Sequence, residues 1–321
     1  MQFNSTAAAL ALALGASAAP SPFHHAKHSN VGPGGMVPVD MPPSGVAPSG
    51  TAPSGGLPVA SSTAVALSYK ISNSTSSAAT GTTSAASLSD STAESGGSLP
   101  ASSGTSVLDA VQTIAAGESF DGGMVMFDRG TSCTGQEEGG DSDAVFELED
   151  GASLSNVIIG PNQIEGVHCY GSCTLDNVWW SAVCEDAFTI KEQDSDGTTT
   201  ITGGGAYGAD DKVLQHNGAG TLSVSGFTVD DFGKLYRSCG NCDDMYERHV
   251  IMDDITASSG SILAGINSNY GDTATFTNIN TSDVEDVCVE FEGNDTGDEP
   301  DEVSSGPSDY CIYSTSDITD S

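Results

Sequence analysis

Leu154-Ser155-Asn156-Val157-Ile158-Ile159 is echoed 21 residues later by Leu175-Asp176-Asn177-Val178-Trp179-Trp180. Looser copies follow at residues 200–203, 222–226, 249–253 and 274–278. Each is a short β-rich run ending at Asn, Asp or Gly, residues that tolerate the left-handed backbone of tight turns. Units recurring at roughly 20 to 27 residues indicate a solenoid, because each coil buries its apolar face on its neighbours. The expected fold class is all-β, a right-handed parallel β-helix. A β-sandwich is the alternative, since evenly spaced short strands suit it too. One helix is expected, over residues 105–116: Val107, Leu108, Val111 and Ile114 would face the first coil, with Ser106 near the N-cap.

The echoes are confined to the second part of the chain. Residues 19–104 hold ten of the 13 prolines and five charged side chains, Lys27, Asp40, Lys70, Asp90 and Glu94. A Pro-Ser-Gly triplet recurs there at Pro43, Pro48 and Pro53. Such a segment cannot bury enough apolar surface to offset its conformational entropy. It reads as a disordered low-complexity spacer, either a solvated O-glycosylated linker or a wall-attachment stalk. Residues 105–321 form the expected folded domain, and about 215 residues suffice for a sizeable core. Ahead of both, residues 7–15 are an apolar run too short to span a bilayer, and Ala16-Ser17-Ala18 fits a cleavage site. Residues 1–18 therefore read as a signal peptide, although no Lys or Arg precedes the run, and the protein as secreted. Eight cysteines in a secreted chain predict disulfides, and Asn73, Asn280 and Asn294 lie in N-x-[ST] sequons.

The formal net charge is −36. That excludes a nucleic-acid binder, which needs clustered cations, and opposes docking on an anionic membrane. The folded part carries 41 of the 44 acids and only six cations: Arg129, Lys191, Lys212, Lys234, Arg237 and Arg248.

Glu165 and the pair Glu185-Asp186 are separated by one coil, which would set three carboxylates on one face. Converging carboxylates repel and call for a cation, and oxygen donors alone favour Ca²⁺ over zinc. Acidic decoration of the surface is the plain alternative. Lys212, Lys234 and Arg237 lie within 26 residues, the first two again one coil apart. A cationic patch in so acidic a chain implies an anionic ligand, and beside calcium a carboxylated one. Ion pairing with Asp210, Asp211, Asp230 and Asp231 is the structural alternative. Together the two groups suit β-elimination on a uronic acid polymer. Calcium and a guanidinium would hold the carboxylate while a deprotonated Lys removes the C5 proton. A free Lys, with a pKa of ~10.4, is almost fully protonated at neutral pH, and Arg is a poorer base still. The Cys239-x-x-Cys242 and Cys169-x3-Cys173 motifs read as disulfides, and His168, His216 and His249 as structural. The adjacent pairs Asp210-Asp211 and Asp230-Asp231 are weak imitations of a glycosidase carboxylate pair, since neighbours on a strand face opposite ways.

The folded part also resembles a known group. AGESFDGG from Ala116, DRG at Asp128, GQEEGGDSDAVFELEDGASLSNVIIGPNQIEGVHC from Gly135 and GSCTLDNVWWSAVCEDAFTIK from Gly171 carry the likeness. GGGAYGADDKVLQHNG from Gly203, DFGKLYRSCGNC from Asp231 and INSNYGDTAT from Ile266 complete it. From Ala116 to Tyr313 the chain is similar to the family 3 polysaccharide lyases, secreted microbial pectate lyases. The resemblance implies Ca²⁺-dependent cleavage of de-esterified polygalacturonate (pectin) by a monomer. It implies Glu165, Glu185 and Asp186 as metal ligands, Lys212 as base, Arg237 and Lys234 on substrate carboxylates, and Glu138 near the scissile bond. The departure is the acidic background, including an insert at residues 295–302. A pectin-directed glycoside hydrolase and a non-catalytic wall-binding protein are the rival readings.

Overall fold

The structure, a computed structural model, describes residues 97–321. The signal peptide, all but the end of the spacer, and Asn73 lie outside the described residues. Among the described residues seventeen strands follow one another: β1 (Gly104–Val107), β2 (Gln112–Ile114), β3 (Ser119–Asp128), β4 (Ala144–Glu149), β5 (Ser153–Ile159) and β6 (Glu165–Tyr170). Then come β7 (Thr174–Trp180), β8 (Asp186–Glu192), β9 (Thr198–Thr202), β10 (Gly205–His216), β11 (Gly220–Ser225) and β12 (Thr228–Ser238). β13 (Arg248–Asn267), β14 (Thr273–Glu292), β15 (Asp301–Ser305), β16 (Cys311–Ile312) and β17 (Ile318–Asp320) complete the set. They coil into a parallel β-solenoid of about eight turns. Among the described residues only the β14–β15 pairing is antiparallel.

Pairing sorts the strands into three parallel stacks. The first runs through β2, β4, β6, β8 and the C-terminal halves of β10, β12, β13 and β14. The second joins β1 to the C-terminal parts of β3, β5 and β7, then the first halves of β10 and β12 and the middles of β13 and β14. The third joins the starts of β3, β5 and β7 to β9, β11, β13, β14 and β16.

The long β13 and β14 pass through all three stacks because single residues with positive φ bend them. Asn156, Asn177, Gly203, Gly226, Asp254 and Asn278 form one such column, one per coil, with φ between 52° and 66°. Gly208, Asp231, Ser259 and Asp283 form a second column. Three of the looser echoes end on members of the first column, Gly203, Gly226 and Asn278, and the fourth stops at Asp253, one residue short of Asp254. Asn177 Nδ2 donates to Asn156 Oδ1 at 2.9 Å, which joins the first two members of this column through their side chains.

Inside, register aligns Phe120, Leu154, Leu175, Ile201, Val224, Met252 and Phe276 in one apolar row. From Leu154 onward each is no more than 1% exposed. Burying one such side chain contributes about 1.5–3 kcal/mol. Four disulfides join Cys133–Cys184, Cys169–Cys173, Cys239–Cys242 and Cys288–Cys311.

The expected helix over residues 105–116 is corrected. That segment forms β1 and β2, which pair in parallel with β3 and β4. Thr105, Val107, Val111, Thr113 and Ile114 are β-branched and favour extended backbone. The open edge of the first coil also offers them backbone partners. Val107, expected to face the core, is 63% exposed. Ordered contacts extend back to Gly97, whose carbonyl accepts from the Tyr207 hydroxyl at 3.3 Å. Asn280 is exposed on β14, whereas the Asn294 amide already donates to the Asp298 carbonyl.

Candidate active site

The first stack sets the charged residues in a row. Glu165 opens β6, and the Val167–Phe188 register, carried two residues back, sets it opposite Asp186. Asp186 pairs with Lys212, and Lys212 with Lys234. Three positions along, Gln215, Arg237 and Gly265 align in the same way. A register shift in β10 between Ala209 and Lys212 brings the lysine into this row. Glu138, Glu165, Asp186, Lys212, Lys234 and Arg237 all line one cavity of about 260 Å³. Glu185 is buried and lies beside it rather than on its wall.

Lys212 Nζ stands 3.4 Å from Glu185 Oε1, 3.4 Å from Asp186 Oδ1 and 2.9 Å from Asp211 Oδ2. Asp211 Oδ1 in turn accepts from Lys234 Nζ at 2.7 Å. The ion-pair alternative thus holds for both lysines, through Asp211. It fails for Arg237, which has no carboxylate within 4.0 Å among the described residues. Burial alone would lower the Lys212 pKa, but the charges of Asp186, Asp211 and Glu185 outweigh it and hold the ammonium above its ordinary value. Burial raises Asp186 and Glu185 above the usual carboxylate range, against the opposing pull of Lys212. Asp211 is also desolvated, yet its bonds to Lys234 and Lys212 carry it below its ordinary value. Burial lowers Arg237 to about 10.

The fit of a cation follows from the carboxylates. Glu165 is held by the Gly139 amide at 2.9 Å and by His168 Nε2 at 3.2 Å. Glu185 Oε2 and Asp186 Oδ1 are buried without a hydrogen-bond partner; Asp186 Oδ1 is within ion-pair reach of Lys212 but outside hydrogen-bonding geometry. Buried, unpartnered oxygens of this kind fit a hard divalent ion. Among the described residues no three acidic, His or Cys side chains close into a finished cage, so such an ion would have to draw Glu165, Glu185 and Asp186 together.

Of the four aspartates named as ion-pair partners, Asp211 is the one that bridges both lysines. Other site residues escape the sequence reading. Lys191, one of the six cations, also lines the cavity, with Nζ 3.4 Å from Asp141 Oδ1. It ends the DAFTIK segment on the same strand as Asp186, and that proximity is its only signal in the sequence. Glu299 and Pro300 of the acidic insert form part of the wall, and the Cys239–Cys242 disulfide pins the loop holding Gly240 and Asn241 there.

Residues 96–298 match the family described as pectate lyase. The chain belongs to the pectate lyase family. Pectate lyase H of Emericella nidulans is 62% identical over 217 residues, covering 67% of this chain and 82% of that one. A probable pectate lyase D of Aspergillus fumigatus is 56% identical, covering 67% and 89%. Among solved structures, the catalytic domain of pectate lyase PelI from Erwinia chrysanthemi superposes with a TM-score of 0.57 at 31% identity, covering 68% of this chain and 98% of that one. PelI in complex with tetragalacturonic acid gives 0.56 at 31% identity, with coverage of 68% and 70%. The row of charged residues on the first stack is therefore the candidate active site of a pectate lyase.

Proposed function

We propose that this pectate lyase is secreted, with residues 1–18 as signal peptide, 19–104 as spacer and 105–321 as catalytic domain. It cleaves de-esterified polygalacturonate by calcium-dependent β-elimination, releasing 4,5-unsaturated oligogalacturonides. The observation that carries this reading is the single cavity in which a buried acidic group meets Lys212, Lys234 and Arg237. The tetragalacturonic acid complex of the related PelI supports the substrate class.

Glu165, Glu185 and Asp186 would hold calcium. Bound there, the ion would neutralise these carboxylates and the substrate's, acidifying the C5 proton and withdrawing the negative field that keeps Lys212 protonated. Arg237 and Lys234 bind and orient the uronate carboxylates, and Arg237 stabilises charge as it develops. Lys212 Nζ takes the C5 proton. The C5–H electron pair forms the C4–C5 double bond, the C4–O4 bond breaks, and the departing oxygen is protonated by water. Glu138, at the cavity rim, stands near the scissile bond.

The test is ultraviolet absorbance of the unsaturated product on polygalacturonate, with calcium or with excess chelator. Absorbance rises only with calcium. New reducing ends without absorbance would show a hydrolase, and binding without turnover a wall-binding protein. Full activity in chelator would remove the calcium assignment.

A further inference from the structure

Arg237 is held by neutral oxygens and an aromatic ring, whereas both lysines of the cavity are held by carboxylates. Its Nη1 donates to the Ser238 carbonyl at 2.6 Å, to Asn267 Oδ1 at 3.0 Å and to the Gly265 carbonyl at 3.5 Å. The guanidinium carbon lies 4.2 Å from the centre of the Phe291 ring. Asn267 and Phe291 pair directly across β13 and β14, so one rung of the solenoid supplies both contacts. The space around them leaves no slack. A Cβ at Gly240 would strike Arg237 Nη2, and one at Gly265 would lie 3.0 Å from both Arg237 Cδ and Phe291.

Asn267 is itself anchored. It is fully buried, and its Nδ2 donates to the Cys239 carbonyl at 2.9 Å and to Ser238 Oγ at 3.1 Å. Its backbone amide donates to Asp272 Oδ2 at 2.9 Å, and Asp272 Oδ1 accepts from the Arg248 amide at 2.9 Å. These bonds fix which way the Asn267 carbonyl oxygen points. Of the three oxygens that hold Nη1, Asn267 Oδ1 is the one supplied by a side chain, and the Phe291 ring beneath the guanidinium sets its plane. All of these bonds go through Nη1; Nε and Nη2 make none among the described residues, and Arg237 lines the cavity.

We propose that Asn267 and Phe291 are positioning residues for the elimination: they act through Arg237, aiming the free Nε and Nη2 edge of its guanidinium at the substrate carboxylate. This rests on the lyase reading above. A fork that meets a carboxylate in two places gains from being pre-set, because an arginine side chain otherwise loses rotamer freedom on binding. Displacement of such a group by about 1 Å costs on the order of 100-fold in rate.

The experiment is a double-mutant cycle in the full chain. Phe291→Leu keeps an apolar side chain but removes the ring, and its expected effect is a ~10- to 100-fold fall in kcat with KM changed by less than about threefold. Phe291→Tyr restores the ring and stays within about threefold of wild type. Asn267→Ala is the second arm; since Asn267 also holds backbone, Phe291 keeps the test readable if that variant does not fold. In an Arg237→Ala background Phe291→Leu has no further effect, because the group it positions is gone. Losses that simply add in that background, or a Phe291→Leu enzyme with wild-type kcat, would overturn the proposal. If the wild type forms no unsaturated product, the lyase reading fails separately. The same cycle is then read from calorimetric binding of trigalacturonate with calcium, where the change of up to about threefold caused by Phe291→Leu must again vanish without Arg237.

Discussion

Lys212 sits at the meeting point of three carboxylates, and its environment argues against a free base until that charge is answered. Lys212→Ala should therefore lower turnover by more than ~100-fold, the scale of a general base, with an unchanged fold by circular dichroism. Near-normal turnover would place the base elsewhere. His216 shows the opposite kind of residue. It is fully buried, between the Tyr236 hydroxyl at 3.0 Å and the Ala219 carbonyl at 3.1 Å, and burial lowers its pKa to about 3. An unfolded histidine takes up a proton below ~6.5 while the folded ring refuses it until about 3. Wild type thus loses stability from this group as the pH falls through that window, by up to ~1.4 kcal/mol per unit. The melting difference between wild type and His216→Gln should shrink between pH 6.5 and 4; a constant difference would show a protonatable, solvated ring. At this scale much was legible. Scarcity singled out Lys212, Lys234 and Arg237, and coil spacing singled out Glu165 and Asp186. Asp211 was legible only as one of four flanking acids, and Asn267 and Phe291 left no trace. An asparagine and a phenylalanine become special only through whom they touch.

Among the elements, the coils were readable because one physical need recurs in each: an apolar run, then a residue that accepts positive φ. Asn177 has φ 55°, donates to Asn156 and accepts from Trp179 Nε1 at 2.7 Å. Asn177→Gly keeps the backbone and loses the bonds, whereas Asn177→Ala loses both. The expected cost is about 1 kcal/mol for Gly and about 2 for Ala, read from urea unfolding. Equal losses would mean that the left-handed turn carries no strain for alanine. The first coil misled for a related reason. Val107, Leu108, Val111 and Ile114 fit a helical face, but the same spacing suits two short strands separated by a bend. What decides between them is the unpaired edge of β3 and β4, and local sequence does not contain it.

For the whole molecule, a charge of −36 opposes a polyanionic substrate. The structure adds that two of the cavity's cations already share Asp211, and that Glu299 stands in the wall, with its charge felt by Arg237. Moderate salt should therefore lower KM for polygalacturonate by screening the long-range field, and Glu299→Gln should lower it at low salt with less effect on methylated pectin. A KM that climbs steadily with salt would show that the local cations dominate. β15 has a consequence of another kind. A parallel solenoid ends in an open edge that an identical molecule could extend rung by rung. β15 runs against that direction, is exposed throughout, and carries Asp301 and Glu302. It terminates the active-site stack with an antiparallel, negatively charged rim, which opposes end-to-end growth of the catalytic face on its own copies.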